Sequence, residues 1–200
     1  MEKIRSFLAI ELPRKIVDKL EEIQKGLRSS GASVKWVRPE SIHLTLKFFG
    51  NIEPKMIDDI SRVVTKVAAK INAFDLEVKG VGAFPDMSHP RVVWVGLESS
   101  GGTLGILHKE VGTNLEEIGF APEGRAFTAH LTLGRVKSLK EKRQLIQEME
   151  KFKKYELGSF RVENLILFKS ELRPSGAVYT KLRTFDLTGF HASQSNLKNL

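Results

Sequence analysis

The tetrapeptide His-Leu-Thr-Leu occurs twice in the chain, at residues 43–46 and 130–133. Each copy lies in a stretch that is typical of a β-strand, in which successive side chains point to opposite faces of the sheet. The imidazole and the hydroxyl of each copy therefore share one face, and the two leucines share the other. Imidazole titrates near neutral pH. Two such pairs brought together could move two protons around one anionic substrate.

A histidine pair of this kind favours general acid-base catalysis at phosphorus. Displacement at phosphorus needs a base beside the entering oxygen and an acid beside the leaving oxygen. One imidazole is then neutral and the other is protonated, and the ordinary pKa of about 6.5 permits both forms near neutral pH. We expect His43 and His130 to fill these roles. The internal symmetry alone does not assign the acid and the base.

Other uses of the two histidines are less consistent with the sequence. A lone histidine in a β-strand most often has a structural role, with its ring bonded to a backbone carbonyl. Packing alone, however, does not require His and Thr at matching positions in the two halves. A zinc site needs four ligands, and neither motif carries a second His or a carboxylate at suitable spacing. The chain has no cysteine and no Gly-x-Ser-x-Gly elbow, so a nucleophilic triad is not favoured. We therefore expect no metal and no cofactor.

Polar and aromatic neighbours of the histidines could hold the substrate. Thr45 and Thr132 are expected to donate hydrogen bonds to the non-bridging oxygens of a phosphate. Phe48 and Trp36 could stack on a nucleobase, although for both residues a place in the core is the more favoured interpretation. Phe48 has the strand parity of the two motif leucines, which favours a place in the core.

Two cations follow the motifs at different spacings. Lys47 comes four residues after His43, so ideal alternation places it on the histidine face, where we expect it to contact the substrate. Arg135 comes five residues after His130, which is the opposite parity. We expect Arg135 to reach the substrate only if the strand bends or ends near Gly134.

The rest of the chain predicts the elements that position these residues. Strands are predicted at residues 5–12, 34–37, 42–49, 74–84, 91–97, 129–136, 157–168 and 177–187. Gly50 is expected to close the first histidine strand. Helices are predicted from Pro13 to Gly31, from Pro54 to about Ile71, from Leu104 to Gly119, and to about residue 152 after a capping box of Ser138 and Glu141.

These elements fall into two similar halves. His130 follows His43 by 87 residues, and the same offset lays residues 7–10 over residues 94–97. We infer a duplicated β-α-β-α-β-β unit, with halves at about 1–88 and 89–190, related by an approximate two-fold axis.

The duplication predicts an α+β fold. Two pseudo-symmetric lobes are expected, with antiparallel sheets that line a central cleft and helices outside. We expect residues 1–190 to form one bilobal domain and residues 191–200 to form a loose tail.

Composition restricts the class of protein. The chain has 200 residues, of which 41% are hydrophobic, and the absence of Cys excludes disulfides and cysteine nucleophiles. No apolar run approaches the roughly 20 residues that span a bilayer, and no signal-peptide core precedes the first strand. We therefore expect a cytoplasmic protein without membrane contact. The formal charge of +8 favours polyanionic partners such as RNA.

The two motifs and their surroundings resemble the two-histidine phosphoesterase superfamily. Within it, the chain is most similar to the RNA 2′,3′-cyclic phosphodiesterases, also described as the 2′-5′ RNA ligase family. The resemblance covers nearly the whole chain. It rests on Arg-Ser-Phe-Leu-Ala-Ile-Glu-Leu-Pro at 5–13, Trp-Val at 36–37, His-Leu-Thr-Leu-Lys-Phe-Phe-Gly at 43–50, Gly-Ala-Phe-Pro at 82–85, Pro-Arg-Val-Val-Trp-Val-Gly at 90–96 and Phe-Thr-Ala-His-Leu-Thr-Leu-Gly-Arg at 127–135.

The resemblance implies metal-independent hydrolysis of an RNA 2′,3′-cyclic phosphate end, or of a cyclic mononucleotide, to a 2′-phosphate. It implies that His43 is the acid that protonates the departing 3′ oxygen and that His130 is the base that activates water. It also places Thr45, Thr132 and Arg135 at positions that hold the phosphate. We expect a monomer.

Two alternatives stay open. The same groups could join RNA halves, including tRNA halves, through a 2′-5′ bond, because a reaction and its reverse use the same transition state. The chain could also be a non-catalytic protein that binds RNA or a nucleotide in the same cleft. Such a protein would need groups that bind phosphate, but it would not need two imidazoles placed for proton transfer. His89, His108 and His191 have no matched partner in the other half, and we assign them no role.

Overall fold

The elements of the fold follow the apolar periodicity of the sequence. The computed structural model describes residues 2–122, 124, 126–138, 140–174 and 176–189. The helices are α1 (Arg14–Arg28), α2 (Met56–Ala68), α3 (Thr103–Glu116) and α4 (Lys142–Phe152). The strands are β1 (Ile4–Ile10), β2 (Val34–Trp36), β3 (Leu44–Ile52), β4 (Phe74–Phe84), β5 (Val92–Ser99), β6 (His130–Val136), β7 (Glu156–Val162), β8 (Asn164–Arg173) and β9 (Gly176–Asp186).

Within the described residues, the strands form two sheets in which the neighbouring strands are antiparallel. One sheet has the order β3-β1-β8-β9 and the other has the order β2-β6-β5-β4-β7. This confirms the α+β class. Each sheet takes strands from both halves of the sequence, because β4 pairs with β5 and β8 pairs with β1.

The helices cover the apolar sides of the sheets. In α1, Ile16, Leu20, Ile23 and Leu27 recur at the helical period, and all four are buried. The leucines of both His-Leu-Thr-Leu motifs are buried in the same core, as strand alternation predicted. We call this side of each sheet the core face and the opposite side the histidine face. No helix in the described part of the chain is long and apolar enough to cross a bilayer.

Several predicted boundaries were wrong. The strand predicted at 157–168 is two strands, because the chain leaves one sheet after Val162 and joins the other at Asn164. Gly50 does not close β3, which continues to Ile52 with Gly50 at a positive φ of 71°. The tail predicted at 191–200 lies outside the described residues.

The predicted capping box does not form. Glu141 has a left-handed backbone with φ of 60°, and α4 begins after it at Lys142. The hydroxyl of Ser138 instead accepts a hydrogen bond from the backbone nitrogen of Lys140 at 3.1 Å. The local turn therefore satisfies the hydroxyl before the helix begins.

One buried side chain ties the two histidine-bearing segments together. Gln24 of α1 is 1% exposed, and its Nε2 donates to the carbonyl of Val37 at 2.8 Å and to that of Leu133 at 2.9 Å. Residues 37–43 connect β2 to the first motif, and Leu133 belongs to the second motif. Because β2 also pairs with β6, the approach to His43 is fixed against the strand that carries His130.

Candidate active site

Each of the two histidine rings is held by a hydrogen bond to the backbone carbonyl two residues before it. The Nδ1 of His43 lies 2.9 Å from the carbonyl oxygen of Ser41, and the Nδ1 of His130 lies 2.7 Å from that of Thr128. A carbonyl oxygen only accepts hydrogen bonds, so each Nδ1 carries a proton. Each Nε2 is therefore the nitrogen that can accept or donate a proton in chemistry.

The surroundings of the two rings differ. The His43 ring stacks on Phe7 with 4.6 Å between ring centroids, and it meets the edge of Tyr179 at 5.2 Å. The His130 ring meets Phe84 edge-on at 4.9 Å. Burial lowers the pKa of His43 below its ordinary value, while the bond to the Ser41 carbonyl raises it by less. The free protein therefore favours the neutral form of His43.

This burial predicts a pH-dependent stability. Between the lowered pKa of the folded ring and the ordinary value of 6.5, the unfolded chain binds more protons than the folded chain. The free energy of unfolding should rise with pH across this interval. The stability that is present above 6.5 is lost as the pH falls through the pKa of the folded ring. Denaturant unfolding of the wild type and His43→Gln at pH values below and above about 6.5 measures this slope. A slope that the substitution leaves unchanged would contradict the assignment to His43.

A β-bulge changes the parity of β3 directly after Thr45. Thr45 pairs with Ala9 and Lys47 pairs with Leu8, which leaves Leu46 as an extra residue on β3. Leu8 is a core residue, so Leu46 and Lys47 both point to the core face. Thr45 stays on the histidine face, as predicted.

The bulge reverses two expectations from ideal alternation. Lys47 does not share the face of His43: it is 6% exposed, and its Nζ donates to the carbonyl of Ala121 at 2.8 Å. Phe48 is not a core residue: it pairs with Phe7, contacts its ring at 5.9 Å and is 61% exposed. Phe48 therefore lies on the histidine face, where its ring is accessible to a nucleobase.

The second motif carries the equivalent bulge. Thr132 pairs with Trp94 and Gly134 pairs with Val93, which leaves Leu133 as an extra residue on β6. Leu133 and Gly134 both point to the core face, where a Cβ on Gly134 would press against β2. Thr132 remains on the histidine face.

The bulge also brings Arg135 to that face. Arg135 is exposed and pairs with Val92, which has the parity of Trp94 on β5. The strand distortion near Gly134 that this position required is therefore present. The offset of 87 residues that relates the two motifs also relates Phe48 to Arg135. The two sheets thus present an aromatic ring and a guanidinium at equivalent places.

The histidine face of the four-stranded sheet contains aromatic residues that sequence reasoning missed. Phe7, Phe168 and Tyr179 form a small apolar cluster beside His43, separate from the main core. Phe168 and Tyr179 come from β8 and β9, in the other half of the chain. The signal available in the sequence is the continuous apolar run of β1, which indicates burial on both faces.

The remaining candidates lie elsewhere. Trp36 packs against the main core, and the Arg28 guanidinium lies 5.1 Å from its ring centroid. His89 lies 3.4 Å from Asp86, and His108 stacks on Phe127. His191 is outside the described residues. In the part of the chain that the structure describes, no group of three or more His, Asp or Glu side chains is arranged to hold a metal ion.

Known proteins are similar to this chain in sequence and in fold. The RNA 2′,3′-cyclic phosphodiesterase of Methanothermobacter thermautotrophicus is 37% identical over 185 residues, which are 92% of this chain and 100% of that protein. That of Archaeoglobus fulgidus is 34% identical over 92% of this chain and 100% of its own. The crystal structure of TT0787 from Thermus thermophilus has a TM-score of 0.77 and 29% identity, and covers 94% of this chain and 100% of that one.

The apo crystal structure of E. coli LigT matches with a TM-score of 0.74 and 25% identity, over 94% of this chain and 99% of that one. The family described as LigT like Phosphoesterase matches residues 10–94 and again residues 95–179. The resemblance that the two motifs carry is thereby confirmed. The chain belongs to the LigT-like phosphoesterase family.

Proposed function

We propose that the protein hydrolyses RNA 2′,3′-cyclic phosphate ends to 2′-phosphates, without a metal ion, by acid-base catalysis with His43 and His130. The observation that carries this proposal is the matched pair of imidazoles, each with Nδ1 bonded to a carbonyl and Nε2 left for proton transfer. The names of the relatives in Methanothermobacter and Archaeoglobus support this substrate.

Each proton in the proposed reaction has a defined route. The Nε2 of His130 takes a proton from water as the water oxygen bonds to phosphorus. The bond between phosphorus and the 3′ oxygen breaks, and the protonated Nε2 of His43 gives its proton to that oxygen. The products are a 2′-phosphate and a 3′-hydroxyl, and the proton on His130 returns to solvent while His43 is reprotonated.

The remaining residues on the histidine faces hold the substrate. Thr45 and Thr132 donate hydrogen bonds to the non-bridging oxygens, and Arg135 adds a charge-assisted contact. The exposed Phe48 ring stacks on the base of the terminal nucleotide. Hydrogen bonds to these oxygens strengthen as negative charge develops on them.

The acid role of His43 places a condition on the bound complex. Burial favours the neutral ring in the free protein, whereas an acid must be protonated. A phosphate anion beside the ring favours the protonated form and offsets the burial. We therefore expect the substrate itself to prepare His43 as the acid.

The mechanism requires the two histidine faces to bound one cleft. Three features support this arrangement. β2 pairs with β6, and the segment after β2 continues directly into the first motif. Gln24 also bonds to the carbonyls of Val37, in that segment, and Leu133, in the second motif. Arg38, in that connecting segment, also donates to the carbonyl of Ala177 on β9 at 2.6 Å. The connection is thus fixed to both sheets.

The proposal is tested with a 2′,3′-cyclic mononucleotide in the presence of a metal chelator. Because imidazoles perform both proton transfers, the initial rate of 2′-monophosphate formation should be the same with and without chelator. Loss of turnover in chelator that added metal restores would contradict the metal-free mechanism. Binding without any turnover would instead indicate a nucleotide-binding protein.

A further inference from the structure

A cavity adjoins His130 on the histidine face of the five-stranded sheet. Its volume is about 670 Å³, which is within the range of small-molecule sites. We call it the β4–β5 trench, and the lining residues that matter here are Lys79, Trp94, Gly96, Thr128, Lys153 and Lys154.

The trench is lined by residues that are neighbours of His130. Gly96 is the cross-strand partner of His130, and the carbonyl of Thr128 accepts the hydrogen bond from the His130 ring. Phe84 contacts both the His130 ring, at 4.9 Å, and the Trp94 ring, at 5.2 Å between centroids. A molecule that reaches His130 can therefore extend into the trench.

The indole of Trp94 lines the trench and lies across the neighbouring strand. A Cβ on Gly82 would collide with its benzo edge, and a Cβ on Gly96 would lie 3.5 Å from it. The ring thus occupies the space that two glycines leave above the sheet. Its Nε1 is buried and has no hydrogen-bond partner among the described residues.

The equivalent place in the four-stranded sheet is filled by aromatic side chains. Phe7 is the counterpart of Trp94 at the offset of 87 residues. The partner of Phe7 on β8 is Phe168, whereas the partner of Trp94 on β4 is Gly82. The two phenylalanine rings stack with 5.3 Å between centroids. In the four-stranded sheet aromatic side chains therefore fill the space beside His43, whereas in the five-stranded sheet a cavity lies beside His130.

Cations lie at the rim of the trench. Lys79 is engaged by Glu98 at 2.8 Å, and Glu156 also lines the cavity. Lys153 and Lys154 occupy the turn before β7, where Lys153 pairs with Glu150 at 3.2 Å. These two lysines add positive charge to the cavity that Trp94 also lines. An aromatic surface beside cations is the arrangement that binds single-stranded nucleic acid.

We propose that the β4–β5 trench binds the penultimate nucleotide of a single-stranded RNA whose terminal cyclic phosphate reacts between the histidines. A 2′,3′-cyclic phosphate is necessarily the 3′ end of its chain, so every further nucleotide lies on the 5′ side of the terminal one. Trp94 stacks on the penultimate base, and Lys153 and Lys154 contact the phosphodiester that joins this nucleotide to the terminal one. This inference rests on the proposed function and adds a separate subsite for the nucleotide that precedes the reacting end.

The experiment compares adenosine 2′,3′-cyclic phosphate with a diadenosine ribonucleotide that ends in the same group. The wild type should show the higher kcat/KM with the dinucleotide. Trp94→Leu should lower the ratio of the two kcat/KM values about 10-fold, because the loss of base stacking affects only the longer substrate. Lys153→Gln with Lys154→Gln should lower the same ratio and weaken its dependence on salt.

Controls separate this inference from the proposed function. Lys25→Gln, an exposed lysine on α1, should leave the ratio unchanged. If the wild type hydrolyses both substrates and neither variant changes the ratio, the trench does not bind RNA and the proposed function stands. If the wild type hydrolyses neither substrate, the proposed function itself fails.

A direct binding measurement covers the case in which Trp94→Leu does not fold. Trp36 and Trp94 are the two tryptophans of the chain, so Trp36→Phe leaves Trp94 as the sole tryptophan fluorophore. The dinucleotide product with a 2′-phosphate should quench this fluorescence, and the mononucleotide product should do so far less. Equal quenching by both products would overturn the proposal.

Discussion

Substitution of either histidine by alanine should lower kcat for a 2′,3′-cyclic nucleotide by about 10² to 10⁴, the effect of removing one general acid or base. His43→Ala and His130→Ala each remove an Nε2 that the proposed reaction uses for proton transfer. Initial rates of 2′-monophosphate formation measure the loss, and thermal unfolding shows whether each variant remains folded. Near-normal turnover of His130→Ala would contradict its role as the base.

A matched substitution distinguishes proton transfer from structural support. In His130→Asn, the side-chain amide can still donate to the carbonyl of Thr128 but has no group in the place of Nε2. We therefore expect this variant to lose as much activity as His130→Ala. Recovery of most of the activity would mean that the ring acts through its backbone contact.

The pH profile of the residual activity assigns the two roles. In His130→Ala, His43 is the catalytic imidazole that remains. As an acid it must be protonated, so kcat/KM should fall as the pH rises through its pKa, which burial places below 6.5. If the rate instead rises with pH over this range, His43 is the base and His130 is the acid.

Arg135→Met should lower kcat/KM by about 10²-fold, the usual effect of losing one donor to an oxygen that gains charge in the transition state. The guanidinium lies on the histidine face because of the bulge at Leu133. Its contact with phosphate is expected to strengthen as charge develops, so kcat should fall together with affinity. Steady-state kinetics with the cyclic mononucleotide measure both changes.

Two further variants control for charge and for folding. Arg135→Lys keeps the charge but not the planar fork, so it should recover part of the lost activity. Arg161→Met removes an exposed arginine that pairs with Asp75 on the same sheet and should leave kcat/KM unchanged. An Arg135→Met enzyme within twofold of the wild type would show that this side chain does not hold the phosphate.

Much of the architecture could be predicted because its signals are local. The helical period of Ile16, Leu20, Ile23 and Leu27 predicted α1, and alternation within His-Leu-Thr-Leu predicted buried leucines opposite His and Thr. Boundaries were less predictable. A continuous extended segment gives no local sign that it leaves one sheet after Val162 and joins the other at Asn164.

The two bulges show where local reasoning ends. Ideal alternation placed Lys47 with the histidine and Phe48 in the core, and both placements were wrong. The extra residue on β3 arises from its pairing with β1, which is distant in sequence. A one-residue shift moves every following side chain to the other face. The same shift on β6 brings Arg135 to the histidine face.

The sequence by itself determined the duplication, the α+β class, the family and the shared strand face of His and Thr in each motif, because repeats and side-chain alternation are written in consecutive residues. Only the tertiary structure decided the surroundings of each histidine. Phe168 and Tyr179, which lie beside His43, come from the far half of the chain, whereas Gly82 leaves an open trench beside His130. Burial depends on which strands become neighbours, and strand neighbours are set by packing of the whole chain.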